Sequence, residues 1–345
     1  MEVLPENIIF VSPLGNDAND GKSWDKAMKS ITTAIHVAPT GGQVWVEEGT
    51  YQETVVMKNG MNVYGGFNRT ESSIAERGTR KSTILGKSIS MANNFTTPTI
   101  IDGFKITGNT EDFLLVSKNG IMTNCEISGN GGETQVSVRS GSVDGGTVSN
   151  CTISSSIEVK NGGKVINSYI SAASNAYMGN GRVWLVNGGR IEGCILSYRN
   201  NSNYSGYVGI WCRGYNNYIV NCTFDLFNAV GGASNVLHCI VYYDYFFGGP
   251  GNVYIANCLI LPHTLNHGLF NTGTLYNPGT GYTFNNVLGL PNQTLYFLND
   301  DYSPRSNSPA VNAGDNSFVT VDKDILGNPR IQNGKVDIGA IESSF

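Results

Sequence analysis

The chain of 345 residues is 40% hydrophobic and only 14% charged, with 43 glycines, 17 tyrosines and a formal net charge of −5. That balance excludes a general attraction to nucleic acid or anionic membranes, and no apolar run approaches the roughly 20 residues that span a bilayer. Few charges, many Gly, Asn, Ser and Thr, and abundant β-branched residues predict an all-β chain rich in tight turns.

The opening MEVLPENIIF has neither a basic n-region nor a long apolar h-region, so no signal peptide is expected in it. The next stretch, VSPLGNDANDGKSWDKAMKSITTAIHVAPTGGQVWVEEGTYQETV, predicts a strand, a polar loop, a helix from about Ser23 to Ala38, and a further strand. A helix ahead of a repeating core is expected to cover its open end. Within the loop, Asp17, Asn19, Asp20 and Asp25 are candidate calcium ligands. Their spacing departs from that of an EF-hand, and a plain Asx-turn loop is the competing reading.

From about residue 100 a phrase built around Asn-Cys recurs: TNCEIS (123–128), SNCTIS (149–154), INSYIS (166–171), EGCILS (192–197), VNCTFD (220–225), LHCIVY (237–242) and ANCLIL (256–261). With the Cys position as zero, the equivalents are Gly103, Cys125, Cys151, Ser168, Cys194, Cys222, Cys239, Cys258 and Asn286. Positions −3 and +2 are apolar with few exceptions, Lys105 being one. A flat strand would bury −2, 0 and +2, so the alternation slips once, which marks a corner. Position −1 holds Asp102, Asn124, Asn150, Asn167, Gly193, Asn221, His238, Asn257 and Asn285, residue types that tolerate positive φ. The cysteines then read as small core residues rather than metal ligands, which would have to converge on one point.

Upstream of each corner lies a short strand ending in a Gly turn: LLVSKNG (114–120), VSVRSG (136–141), IEVKNGG (157–163), VWLVNGG (183–189) and GIWCRG (209–214). Strand, Gly turn, strand, Asn corner, strand and variable loop predict a right-handed parallel β-helix with three strands per coil, coils about 4.8 Å apart. The expected organisation is one continuous domain. Residues 1–60 form the N-terminal strand/helix cap and first coil, 61–300 the β-helix, and 301–345 an irregular C-terminal cap.

Both ends carry further patterns. NVYGGFNRTESS, TILGKS and IIDGFKITG follow the N-terminal segment, and SPRSNSPAVNAGDNS…VDKDILGNPRIQNGKVDIGAIE closes the chain. These segments resemble bacterial right-handed β-helix proteins of the pectate-lyase-like superfamily, including their D-I-G-A-x-E closing module. The resemblance covers nearly the whole chain. It implies an exported, extracytoplasmic protein and leaves the chemistry open, because the superfamily includes lyases, hydrolases, epimerases and adhesins.

Phasing the strand before each Gly turn leaves Arg139, Glu158, Lys160, Arg182, Trp184, Tyr207, Trp211 and Arg213 on the outer face, with Lys58 and Lys118 before Asn-Gly in earlier coils. Outward aromatic rings stack on sugars, and Lys and Arg pair with carboxylates. Related sugar-active β-helices use this sheet as their substrate face. The expected partner is therefore a polysaccharide, acidic by the basic residues, and the chain is expected to be a monomer. In the resembling lyases a Lys or Arg removes the C5 proton, often with calcium bridging acidic side chains to the sugar. By that resemblance Lys160, Arg182 and Arg213 are the candidate bases, Glu158 is a candidate catalytic acid, and Ca2+ is the one cofactor implied. Clustered Asp residues on adjacent strands, the usual calcium signature, are absent. Asp225 and Asp244 are the other nearby acids.

Candidate substrate-binding residues are Arg139, Trp184, Tyr207 and Trp211, with Tyr242, Tyr243 and Asp244 from the aromatic run VYYDYFFGG. A hydrolase would need paired carboxylates, and Glu158 and Asp144 are expected to meet only through loop folding. His238 falls on a corner, while His263 and His267 lie in a loop. Two readings follow. One is an enzyme acting on glycans, a lyase first and a glycoside hydrolase next. The other is a non-catalytic glycan-binding, scaffold or adhesin protein.

Overall fold

The computed structural model describes residues 7–86, 88–91, 95–108, 114–129, 141–171, 182–197, 209–214, 216–227, 229–231, 234–237, 239–243, 253–256, 259–262, 287–288, 299 and 301–345. Among them the strands form three sheets, of 11, 11 and 8 strands. Sheet A begins at Ile8–Val11, sheet B at Gly49–Tyr51 and sheet C at Val55–Val56. One coil shows the order: Ile157–Lys160 in sheet C, Lys164–Ile166 in sheet A, Tyr169–Ser171 in sheet B. Each strand pairs in parallel with its counterpart in the next coil. The fold is a parallel β-helix, its core filled by stacked columns such as Met122, Val148, Val165, Ile191 and Ile219, all fully buried.

The corners behave as their residue types dictate. Asn124, Asn150, Asn167, Gly193 and Asn221 have φ of 51°, 51°, 45°, 64° and 49°. One coil differs from the expected phase. There the positive φ belongs to Gly103 (82°), not Asp102. Ile101 and Ile106 therefore point inward, fully buried, and Lys105 is half exposed on the outside. The apparent exception at Lys105 came from a one-residue misphasing. His238, Asn257 and Asn285 lie outside the described residues.

A second correction concerns sheet C. The strand expected at 136–141 is instead Gly141–Asp144, between Leu114–Ser117 and Ile157–Lys160. The turn that decides this is Gly145-Gly146. Gly145 has φ 74°, and a Cβ on Gly146 would stand 2.6 Å from the Ser117 and Val116 carbonyl oxygens. Gly163 and Gly189 meet the same obstacle at 2.1 Å from Val143 O and Val159 O. The second glycine is required because the turn presses on the coil before it. Ser140-Gly141 offers no such pair.

The stacked cysteines do more than fill space. The corner interrupts the backbone ladder, and the next coil's side chain supplies the missing acceptor. The Cys125 N–H donates to Cys151 Sγ (3.4 Å) and the Cys151 N–H to Ser168 Oγ (3.1 Å). Each side chain in turn donates to the carbonyl two residues back: Cys151 to Ser149 (3.0 Å), Ser168 to Ile166 (2.8 Å), Cys222 to Val220 (3.2 Å). All six described cysteines are buried, and burial pushes the Cys151 and Cys194 thiols up.

The expected helix from Ser23 to Ala38 is split. A 3-10 turn covers Trp24–Lys26 and an α-helix, α1, covers Ile31–Val37. The segment between them joins the edge of Ile8–Val11 through Met28 N–H to Phe10 O and Ser12 N–H to Met28 O, both 2.9 Å. That pairing overrides helix propensity and covers an otherwise open sheet edge. The Glu53 carboxylate accepts from Ile31 N, Thr32 N and Ser30 Oγ at the N-terminus of α1, and Lys58 Nζ donates to Ala38 O at its other end. Both charges suit the helix dipole.

The described C-terminal residues run along the flank of the middle coils. Asn167 Nδ2 donates to Lys323 O, Arg190 to Phe318 O, and the Ala340 N–H to Thr223 Oγ1. Glu192, fully buried, accepts from Thr320 N and Thr320 Oγ1 and pairs with Arg190 Nε at 2.8 Å. Within the segment, Arg330 and Glu342 form a buried ion pair at 3.0 Å. Together these contacts make a lateral clasp on the middle coils.

Candidate functional site

The outer face of sheet C is set by the parallel register. One column runs Leu115, Ser142, Glu158, Trp184, Trp211. The next runs Ser117, Asp144, Lys160, Val186, Arg213. Alternation fixes the side that the described side chains of 142, 144, 158, 160, 184 and 186 face, since the intervening Val143, Val159 and Leu185 are fully buried in the core.

Lys160 sits at the centre of a charged group. Its Nζ lies 2.9 Å from Glu158 Oε2 and 3.9 Å from Asp144 Oδ2. Two oxygens so close to one nitrogen are no more than about 7 Å apart. The pairing that seemed to need loop folding thus arises from strand register, Glu158 and Asp144 being diagonal neighbours on adjacent strands. Asp144 Oδ1 also accepts from Asn161 Nδ2 at 2.8 Å. Glu158 is the more enclosed carboxylate, its side chain 12% exposed against 38% for Asp144. Beside it Ser142 is 9% exposed, and its Oγ has no hydrogen-bond partner. Trp184, the next residue along the same column, is partly buried.

The expected basic row is described only in part. Lys160 and Arg213 share a column, with Val186 between them, and Arg182 begins the strand Arg182–Val186. The side chains of Arg182, Trp211 and Arg213 lie outside the described residues, as do Arg139, Tyr207, Asp244, His263 and His267. Lys118 follows Ser117 in the turn, and Lys58 is engaged with α1. Tyr242 and Tyr243 belong to Ile240–Tyr243 and Asp225 to Thr223–Phe227, both strands of sheet B, so neither joins the Trp184 column.

The 15–25 loop spends its polar groups on the backbone. Asp17 Oδ1 accepts from Lys29 N and Ser30 N, Asp20 Oδ1 accepts from Lys22 N, and Asn19 Nδ2 donates to Ala27 O. Asp25 pairs with Arg69 at 3.2 Å. Among the described residues no three His, Cys, Asp or Glu side chains are grouped to hold a metal ion, and no helix is long and apolar enough to cross a membrane. Sequence reasoning missed Ser142, because its face depends on placing the strand at 141–144. The Asp144-Gly-Gly run was the available signal.

No family model matches the chain, and no curated protein matches it. Among solved structures it is similar to the crystal structure of pectate lyase Pel9A, at 14% identity over 99% of this chain and 97% of that one, with a TM-score of 0.49. The fold assignment rests on the three parallel sheets and not on this likeness.

Proposed function

We propose that this β-helix contacts polysaccharide through the outer face of sheet C, centred on Glu158, Lys160 and Trp184. The observation that carries the reading is the register itself. It places Trp184 and Trp211 on adjacent coils of one column and sets a carboxylate, an ammonium and a second carboxylate beside them. A partly exposed indole next to fixed hydrogen-bonding groups matches the apolar faces and polar rims of sugar rings. Affinity electrophoresis of the full chain through glycan-containing gels tests this. Trp184→Ala is expected to weaken retardation by about tenfold or more, and unchanged migration of that variant would refute the face.

Lys160 is already engaged, its Nζ in ion-pair contact with Glu158 and Asp144, so a lyase step with Lys160 as base would first have to free it from both. A second reading gains from the same geometry. Paired carboxylates roughly 5–10 Å apart serve hydrolytic glycosidases, one as acid and one as base or nucleophile, and the Glu158 and Asp144 oxygens that face Lys160 are no more than about 7 Å apart. A reducing-sugar assay with Glu158→Gln and Asp144→Asn separates the readings. Activity lost in both variants supports hydrolysis, and unsaturated products absorbing in the ultraviolet support a lyase. Absence of either, with retardation intact, supports a binding module.

A further inference from the structure

On the outer face of sheet A the register sets Lys164, Arg190 and Tyr218 side by side in successive coils. Neighbouring strands lie about 4.8 Å apart, so Lys164 and Arg190 leave the sheet one such spacing from each other. Alternation turns both side chains outward, because Val165 and Ile191, the residues that follow them, are fully buried in the core. This row lies on a different sheet from the Trp184 column and shares no residue with it.

Arg190 is held from three sides. Its Nε pairs with Glu192 Oε2 at 2.8 Å, its Nη2 donates to Phe318 O at 3.3 Å, and its guanidinium lies 5.5 Å from the Tyr218 ring centroid. Glu192 is in turn held by Thr320, while Tyr218 and Phe318 both pack against Val220. Phe318 and Thr320 belong to the clasp, so the clasp sets the direction in which Arg190 points. The two bonds use two of the five N–H donors of an arginine, and the side chain is 16% exposed. Glu192 is fully buried, out of reach of a ligand.

Lys164 supplies the second observation. It is exposed, and among the described residues its ammonium has neither a hydrogen bond nor an ion pair. Like charges opposite each other on neighbouring strands are destabilising, and an anion between them turns that repulsion into two attractions.

We infer that Lys164 and Arg190 form a site for an oxyanion, the group carried by inorganic sulfate or phosphate and by sulfated or phosphorylated glycans, and that filling it holds the clasp closed. An oxyanion presents several acceptor oxygens and takes N–H groups from both side chains at once, the guanidinium fork making the paired contact. Chloride presents a single atom. Arg190 owes its direction to Phe318 and, through Glu192, to Thr320, so the site is complete only while the clasp is docked. A ligand that binds the docked form alone favours that form by a factor of 1 + [L]/Kd.

The test is limited proteolysis of residues 301–345 in the full chain at constant ionic strength, in chloride, sulfate and phosphate, with dextran and dextran sulfate as a further pair of probes. Sulfate or phosphate at ten times the Kd found by calorimetric titration is expected to slow cleavage about tenfold relative to chloride. Lys164→Ala is expected to remove that difference and Lys164→Arg to keep it, with circular dichroism unchanged in both. Protection by either free ion identifies an inorganic oxyanion as sufficient. Protection by dextran sulfate alone, again lost in Lys164→Ala, assigns the site to a glycan-borne group. Protection that is equal in the wild type and Lys164→Ala would be a general effect of the salt on folded proteins and would overturn the site, as would equal cleavage in every medium. Calorimetric binding that leaves cleavage unchanged would overturn the hold on the clasp.

Discussion

Replacing Cys151 by alanine and by serine separates two accounts of the cysteine column. If the thiol only fills space, alanine should be tolerated at least as well as the more polar serine. The two shorter bonds of Cys151 define its role: its Sγ accepts from the Cys125 N–H at 3.4 Å and donates to Ser149 O at 3.0 Å. Alanine leaves the Cys125 N–H buried without a partner, at about 1–3 kcal/mol. Sulfur is a weak acceptor, so the lower half of that range applies. Loss of buried apolar volume adds about 1 kcal/mol. Cys151→Ala should therefore cost about 2–3 kcal/mol. Serine keeps both bonds, as Ser168 already does in the next coil, and should cost about 1 kcal/mol or less. Urea unfolding in reducing buffer gives the order of stability, and hydrogen exchange at the Cys125 amide reports the bond directly. An alanine variant as stable as the serine variant, with Cys125 protection unchanged, would refute the acceptor role.

Other outcomes follow from the same fold. Gly193→Ala combines φ of 64° with a Cβ only 2.3 Å from Asn167 Oδ1, so a loss of at least about 1–2 kcal/mol is expected in urea unfolding. Glu192→Ala removes a fully buried acceptor of Thr320 and partner of Arg190. It should cost about 3–5 kcal/mol and open residues 301–345 to limited proteolysis before the coils are cut. Burial outweighs the attraction of Arg330 and pushes the Glu342 carboxyl up from 4.5 to about 8. A folded-state value above the unfolded one means that this contribution is complete below about pH 4.5 and is lost as pH rises through 8. The clasp should therefore become more protease-sensitive toward alkaline pH, and Glu342→Gln should flatten that profile.

Much of the fold was legible because burial imposes a period on the sequence. The Asn-Cys phrase reports an αL bend followed by a side chain that must be small and able to hydrogen-bond, and few residue pairs satisfy both. The reading slipped at Asp102-Gly103, where either residue tolerates the bend, and at 136–141, where a plausible strand competes with one fixed by a double glycine. The helix was overextended because Met28 pairs with a strand edge, a tertiary contact with no local signature. The site was less legible. Trp184, Glu158 and Lys160 follow from alternation alone. The Glu158–Asp144 pairing depends on register between coils, and that register is set by turns rather than by the residues it brings together.

The clasp bears on how such a rod comes apart. A stack of coils in which each touches only its neighbours can peel from either end, one layer at a time. Here Asn167 and Lys323 are joined across 156 residues and Thr223 and Ala340 across 117. Fraying that starts downstream must cut these stitches before it passes the middle layers. Among the described coils, those without a stitch should fray first, and a pulling experiment should show one tall force peak at the clasp followed by smaller ones spaced unevenly, as coils of 17 to 28 residues are released.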